Sequence, residues 1–332
     1  MSKNNFEIKN LKNVLFFGTS KIFNKFIEIN DKFNLNTEIF TSKDQSKNID
    51  KNIRYKIIRN IDKNLKNYIL KNYKPENTLF FSLGSRWIFK KDFIKFSKGN
   101  LVNFHGARLP LDAGGGSFSW RIMKNDRINN LLIHKIVQKV DKGQIIFCRK
   151  KLFPKNCRLP KDFKENLDSG LIDLYFHFIK KIKKGNKFYC QEQPKYLSSY
   201  YPRLDSKTDS WIDWNMSGIE LERFIDAFDD PFKGCLTKLN SNKKIVRIKK
   251  VQLHSGENIS HKYMKGLIIR NDQEWIVVAV DDKNYLIIEE VLDSKGKNII
   301  DKLREGDRFF TPQKELERQF SRRVIYNSLG KK

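Results

Sequence analysis

The sequence predicts an α/β protein: a Rossmann-like domain with a mostly parallel sheet, followed by a small β-barrel or sandwich. Three observations carry this. Short, continuous apolar runs alternate with helix-like stretches as far as Lys184, the pattern of a parallel sheet covered on both faces. A stretch rich in Pro, Ser and Tyr then interrupts the alternation. From Leu236 to Leu292 the chain changes to short apolar runs parted by turn residues, which suggests a barrel or sandwich.

In order, Asn13–Phe17 is an apolar run ending in Gly18-Thr-Ser, a buried strand that turns into a helix near Lys21–Glu28. Thr37–Phe40 and Tyr55–Ile58 read as strands, Leu65–Lys71 as a helix, Thr78–Gly84 as a strand, Lys90–Phe96 as a helix and Leu101–His105 as a strand. The Gly18 turn lacks the GxGxxG spacing, so a nicotinamide or flavin site is unsupported. A helix at Ser117–Asn125 precedes strand-like Leu131–Val137 and Gln144–Phe153. Phe163–Lys184 carries Leu167, Leu171, Leu174, Phe178 and Ile182 at helical spacing, with Gly185 placed to cap it. Ser217-Gly-Ile-Glu220 is a capping-box pattern ahead of Leu221, Phe224, Ile225 and Phe228. Barrel strands are expected at Ile245–Ile248, Gly266–Ile269, Trp275–Val280 and Tyr285–Val291, and a charged helix at Lys314–Arg323. The domains are placed at residues 1–190 and 211–313, with a linker at 191–210 and a helical or flexible tail at 314–332.

The 332 residues are 39% hydrophobic and 31% charged, a composition that folds rather than remaining disordered. No stretch approaches the roughly 20 apolar residues of a membrane helix. Met1–Asn13 lacks an apolar signal core, so a cytoplasmic location without membrane attachment is expected. Cys148, Cys157, Cys190 and Cys235 show no metal-ligand spacing and read as free thiols; no metal is expected. The net charge of +28 has two readings: solvated lysine spread along the chain, or a positive field with an anionic target.

The chemistry concentrates in Leu101-Val-Asn-Phe-His105 and the residues after it. Strand alternation puts Asn103 and His105 on one face, at the carboxyl end of a strand where open α/β sheets bind ligands. Gly114, Gly115 and Gly116 allow close backbone approach before the next helix. Asp141, in Val140-Asp-Lys-Gly143, builds a turn on the simplest reading; on the functional one it orients His105. His134 reads as a packed strand residue, and Trp87 and Phe89 taken alone read as core.

The pattern Asn103-x-His-Gly-x-x-Leu-Pro110, with Val140-Asp-x-Gly-x-Ile145 downstream, resembles the folate-dependent formyltransferase family. Pro202-Arg-Leu, Ile212-Asp-Trp214, Phe224-Ile-Asp-Ala-Phe228, Pro231 and Gly234 are similar to the start of that family's C-terminal barrel, so the resemblance spans about Asn13 to Pro312 and implies a small OB-like β-barrel as the second domain. It implies formyl transfer from 10-formyltetrahydrofolate to an amine. Asn103 would hold the oxyanion, His105 would move the proton and Asp141 would hold His105, roles that suit a tetrahedral intermediate. It also places the folate along Trp87, Ile88 and Phe89 and along Val137, Gln138, Lys139 and Val140.

The acceptor is less sharply written. Ser42–Asn52 is short and lacks the basic-loop pattern of the tRNA enzymes, whereas Leu131–Ile136 and Ser119-Trp120 look closer to the sugar-nucleotide branch. An amino-sugar nucleotide is therefore expected, with Arg108 and Gly114–Gly116 as acceptor-binding residues. Methionyl-tRNA is the alternative, since the positive charge suits a phosphate backbone. A basic nucleic-acid-binding protein on an inactive scaffold and a folate hydrolase are the readings from other classes.

Overall fold

The computed structural model describes residues 5–114, 117–255, 261–281, 283–321, 326–327 and 330–331. The first domain contains β1 (Asn5–Phe6), β2 (Asn13–Gly18), α1 (Phe23–Lys32), β3 (Asn36–Thr41), β4 (Lys56–Ile57), α2 (Lys63–Asn72), β5 (Thr78–Leu83), α3 (Lys91–Phe96) and β6 (Leu101–His105). It continues through β7 (Ala113–Gly114), α4 (Ser117–Met123), β8 (Ile128–Lys135), β9 (Ile145–Leu152), α5 (Pro160–Lys183) and β10 (Phe188–Tyr189). The seven-stranded sheet runs in the order β4-β3-β2-β5-β6-β8-β9. Its first five strands are parallel, and β8 and β9 are added antiparallel.

The continuous apolar runs have a direct cause. In β2, Val14 and Phe16 enter one core with Phe23, Phe26 and Tyr175, while Leu15 and Phe17 enter another with Phe40, Phe89 and Phe93. Both faces of the strand are thus covered, α1 and α5 contributing to one layer and α2 and α3 to the other, which makes Val14–Phe17 apolar without alternation. The rings interlock, with Phe16–Phe26 and Phe17–Phe40 stacked at 5.6 and 5.2 Å.

The residues from 186 to 210 do not run free between domains. Phe188 and Phe6 pair in the β10–β1 ladder, and Gln191 exchanges both backbone hydrogen bonds with Ile145. Further on, β11 (Tyr200–Tyr201) pairs in parallel with β7. The segment read as a linker is therefore strapped to the first domain along most of its length.

In the second domain, Ser217 caps α6 (Gly218–Asp226) in a complete capping box with Glu220, and Leu221, Phe224 and Ile225 are buried. The strands β12 (Cys235–Leu239), β13 (Ile245–Ser255), β14 (Ile268–Asn271), β15 (Ile276–Ala279), β16 (Asn284–Leu292) and β17 (Phe309–Phe310) form one antiparallel sheet, ordered β14-β15-β16-β13-β12-β17. The sheet curls until its edges meet: Ile268 donates to the Asp307 carbonyl and Phe309 to that of Gly266, both at 2.8 Å. After α7 (Gln313–Ser321), β18 (Tyr326–Asn327) and β19 (Gly330–Lys331) pair antiparallel, so these four residues of the tail are not helical.

The two domains share a core. Ile122, Phe153 and Phe163 of the first pack with Ile212, Trp214 and Leu221 of the second. Ser119 donates to the Ala227 carbonyl at 2.7 Å, and Arg158 reaches Glu222 and Asp226, both at 2.9 Å. All four cysteines are free. No helix among the described residues is long and apolar enough to cross a membrane.

Candidate active site

The carboxyl ends of β5 and β6 open into a cavity of about 650 Å³. One wall is formed by Arg86, Trp87, Ile88 and Phe89, which follow β5, and by Ile136, Val137, Val140, Asp141 and Lys142, which follow β8. Ala113, Gly114, Ser198 and Tyr200 also line it, and Asn103 and His134 contribute from the sheet. Five of the residues expected along the folate, namely Trp87, Ile88, Phe89, Val137 and Val140, line this cavity. Gln138 and Lys139 are exposed on the same turn and do not line it.

Asn103 and His105 share a face of β6 as strand alternation requires, and the antiparallel register of β8 sets His134 directly opposite Asn103. Asn103 Nδ2 lies 3.2 Å from His134 Nε2, and His134 Nδ1 lies 2.9 Å from the Lys135 carbonyl oxygen. A carbonyl only accepts, so Nδ1 carries the proton and Nε2 accepts from the amide. Burial, with the charge of His105 adding to it, pushes the His134 pKa down to about 4. A neutral His134 therefore holds the Asn103 amide with its NH₂ end fixed, leaving one N–H of that group for a ligand. Sequence reading gave His134 only its packing role; what it lacked was the β6–β8 register.

Asp141 closes the constellation. Its Oδ1 is 3.7 Å from His105 Nδ1 and 3.8 Å from His134 Nε2. These separations are longer than a hydrogen bond but within electrostatic reach. The backbone of Asp141 is left-handed, at φ 56°, a conformation Asp tolerates better than most residues. His105 does not line the cavity; it stands beside Asp141 with 14% of its side chain exposed, and its Nε2 is buried without a hydrogen-bond partner among the described residues. An amide donor, an imidazole and a carboxylate thus converge at one sheet end, suited to stabilising an oxyanion and moving a proton.

The expected acceptor residues divide. Gly114 lines the cavity at φ 107°, and a Cβ there would stand 2.2 Å from the Tyr201 carbonyl oxygen, so only glycine fits beside β11. Gly115 and Gly116 lie outside the described residues. Arg108 is elsewhere: its guanidinium is bound by Asp112 and Asp126 and does not line the cavity. Asp112 also holds the buried Arg121 at 2.8 Å, and Arg121 in turn holds Asn129 at 2.7 Å. This network anchors the loop that follows His105, and it accounts for Arg108 structurally. Ser198 and Tyr200, which do line the cavity, come from the segment read as a linker.

The fold and the site together define a formyltransferase-like molecule, a Rossmann-like domain with an Asn-His-Asp cluster at its sheet end and a barrel docked beside it. Residues 206–303 match the formyl transferase C-terminal domain. The bifunctional polymyxin resistance protein ArnA of Wigglesworthia glossinidia brevipalpis is 26% identical over 189 residues, which are 55% of this chain and 27% of that protein. The methionyl-tRNA formyltransferase of Mycoplasma capricolum is 24% identical over 217 residues, 62% of this chain and 63% of that one. Among solved structures, the N-formyltransferase from Helicobacter canadensis, in complex with folinic acid and dTDP-3-aminofucose, superposes with a TM-score of 0.60 at 21% identity. That match covers 84% of this chain and 99% of the other. These likenesses support kinship with the folate-dependent formyltransferases. The match spans 27% and 63% of the lengths of the two curated relatives.

Proposed function

We propose that this protein is an enzyme that transfers the formyl group of 10-formyltetrahydrofolate to a primary amine, and that the amine belongs to a nucleotide-linked amino sugar. The observation that carries the reading is that Asn103 and Asp141 line the cavity at the end of β6, with His105 beside Asp141. The apolar stretch Trp87–Phe89 and the turn Val137–Val140 form a slot for the flat pterin, and the amine approaches Asn103 from the Gly114–Tyr200 side. As the amine nitrogen bonds to the formyl carbon, the carbonyl electrons move onto oxygen, and the free N–H of Asn103 donates to that oxyanion. His105 takes the proton from the nitrogen and returns it to N10 as the C–N10 bond breaks, leaving a formamide and tetrahydrofolate. Asp141 orients His105 and stabilises its charged form.

The amino-sugar acceptor is supported by the fold likeness to an enzyme solved with dTDP-3-aminofucose. It is supported too by the short Ser42–Asn52 stretch, which forms only a 3-10 turn beside the sheet. Methionyl-tRNA is the second reading, favoured by the curated relatives and by the net charge of +28. Replacement of His105 by Ala tests the catalytic roles: formyl transfer should vanish while tetrahydrofolate still binds. Retained turnover would remove His105 from the mechanism.

A further inference from the structure

Gln193 lies outside the cavity lining, in the segment between the domains, yet its side chain reaches the turn that carries Asp141. Its Nε2 donates to the Asp141 carbonyl at 2.9 Å and to the Gly143 carbonyl at 2.6 Å. We propose that Gln193 is a positioning residue for Asp141, so that the inter-domain segment forms part of the catalytic apparatus. The proposal rests on the reading of Asp141 as the carboxylate that orients His105.

Backbone register explains how a residue so distant in sequence arrives there. Ile145 and Gln191 exchange both hydrogen bonds as an antiparallel bridge, at 2.9 and 2.8 Å. In an antiparallel pair, two steps back along one strand face two steps forward along the other, which sets residue 193 opposite residue 143. The neighbouring pair is tied as well, by the Gln144 amide donating to Glu192.

The turn needs such a clamp. Asp141 is left-handed without being glycine, and Gly143 is pressed against the end of β8, where a Cβ would fall 1.7 Å from the Lys135 carbonyl oxygen. The two carbonyls that Gln193 holds belong to these two residues. Both are acceptors, so only the NH₂ end of the amide satisfies them, and the Oε1 end has no partner among the described residues. A side chain of the same length without two donors cannot replace it. Because the carboxylate is 3.7 Å from His105, a shift of about 1 Å in the turn is enough to cost a large part of the rate.

The test uses the full-length protein as wild type, Gln193→Met, Gln193→Glu, Asp141→Asn and the double variant Asp141→Asn/Gln193→Met. Met keeps the length and removes the donors; Glu keeps the shape and turns oxygens toward the carbonyls. Hydrogen exchange is read on peptides covering residues 138–144. Exchange about tenfold faster or more in both Gln193 variants is expected from losing the two hydrogen bonds, with the melting temperature nearly unchanged. Unchanged exchange would overturn the clamp. In parallel, formyl transfer is measured with 10-formyltetrahydrofolate and dTDP-3-aminofucose. Gln193→Met should lower kcat about 10- to 100-fold, as loss of carboxylate alignment does elsewhere, with KM for the folate within about threefold. Added to Asp141→Asn, it should cost little more, because both act through one carboxylate. An equal cost on that background would overturn the positioning role. Should Asp141→Asn match the wild type, the catalytic reading of Asp141 fails; should the wild type transfer nothing to this sugar, the acceptor reading fails; in either case the exchange measurement still decides the clamp.

Discussion

Acidification from pH 7 to pH 5 tests whether His134 is held neutral inside the site. The ordinary value of 6.5 falls to about 4 in the fold, chiefly through burial. The sign follows from linkage. The unfolded chain binds a proton on this residue below 6.5, whereas the folded chain resists it until about 4. Stability is therefore full above 6.5 and declines as the pH falls toward 4. The loss attributable to His134 is therefore small at pH 7 and grows to about 2 kcal/mol at pH 5. The perturbation is His134→Gln, which keeps a polar side chain and removes the titration. Urea unfolding of wild type and variant, followed by tryptophan fluorescence, gives the stability of each at both pH values. Other groups titrate in both proteins, so the difference isolates His134. The wild type should lose about 2 kcal/mol more than the variant over this interval. Equal losses would refute the neutral, desolvated histidine and, with it, the claim that His134 orients the Asn103 amide.

Two further perturbations probe the frame around the site. Gly114→Ala forces a Cβ to within 2.2 Å of the Tyr201 carbonyl; the β7–β11 pairing should break, lowering stability by about 2 kcal/mol or more in calorimetry and raising KM for the acceptor while tetrahydrofolate binding persists. Arg158→Ala removes the cation that reaches Asp226 across the domain interface, a buried carboxyl whose pKa burial pushes up to about 7. A loss of about 1–3 kcal/mol is expected in urea titrations, larger at pH 8 than at pH 6, because the ionised carboxylate is then the form left without a partner.

Much of the first domain is legible because strands buried on both faces leave continuous apolar runs such as Val14–Phe17 and Leu79–Phe81. The capping box at Ser217 and Glu220 marks the start of α6 by local chemistry alone. The pairing of Asn103 and His105 on one face also follows from a local rule, the alternation of a strand. What escaped was non-local. His134 faces Asn103 only because β8 runs antiparallel to β6, and nothing in Leu131–Lys135 announces that direction. Arg108 looks like a free cation in sequence; Asp112 and Asp126 consume it only once the loop has folded back. The Pro-, Ser- and Tyr-rich stretch after residue 190 has the composition of a linker, but its backbone finds partners in Ile145, Ala113 and Gly114. Gln193 and Tyr200 reach the site by that route.

The central claim, formyl transfer to an amine, is tested most directly by product analysis. Purified protein and 10-formyltetrahydrofolate are incubated with a panel of amino-sugar nucleotides and with methionyl-tRNA, and each acceptor is examined by mass spectrometry. Gain of one formyl group on an amino-sugar nucleotide, absent with His105→Ala, is the expected result. Formylation of the tRNA alone would contradict the acceptor, and a folded protein that binds tetrahydrofolate yet formylates no amine in the panel would contradict the transferase itself.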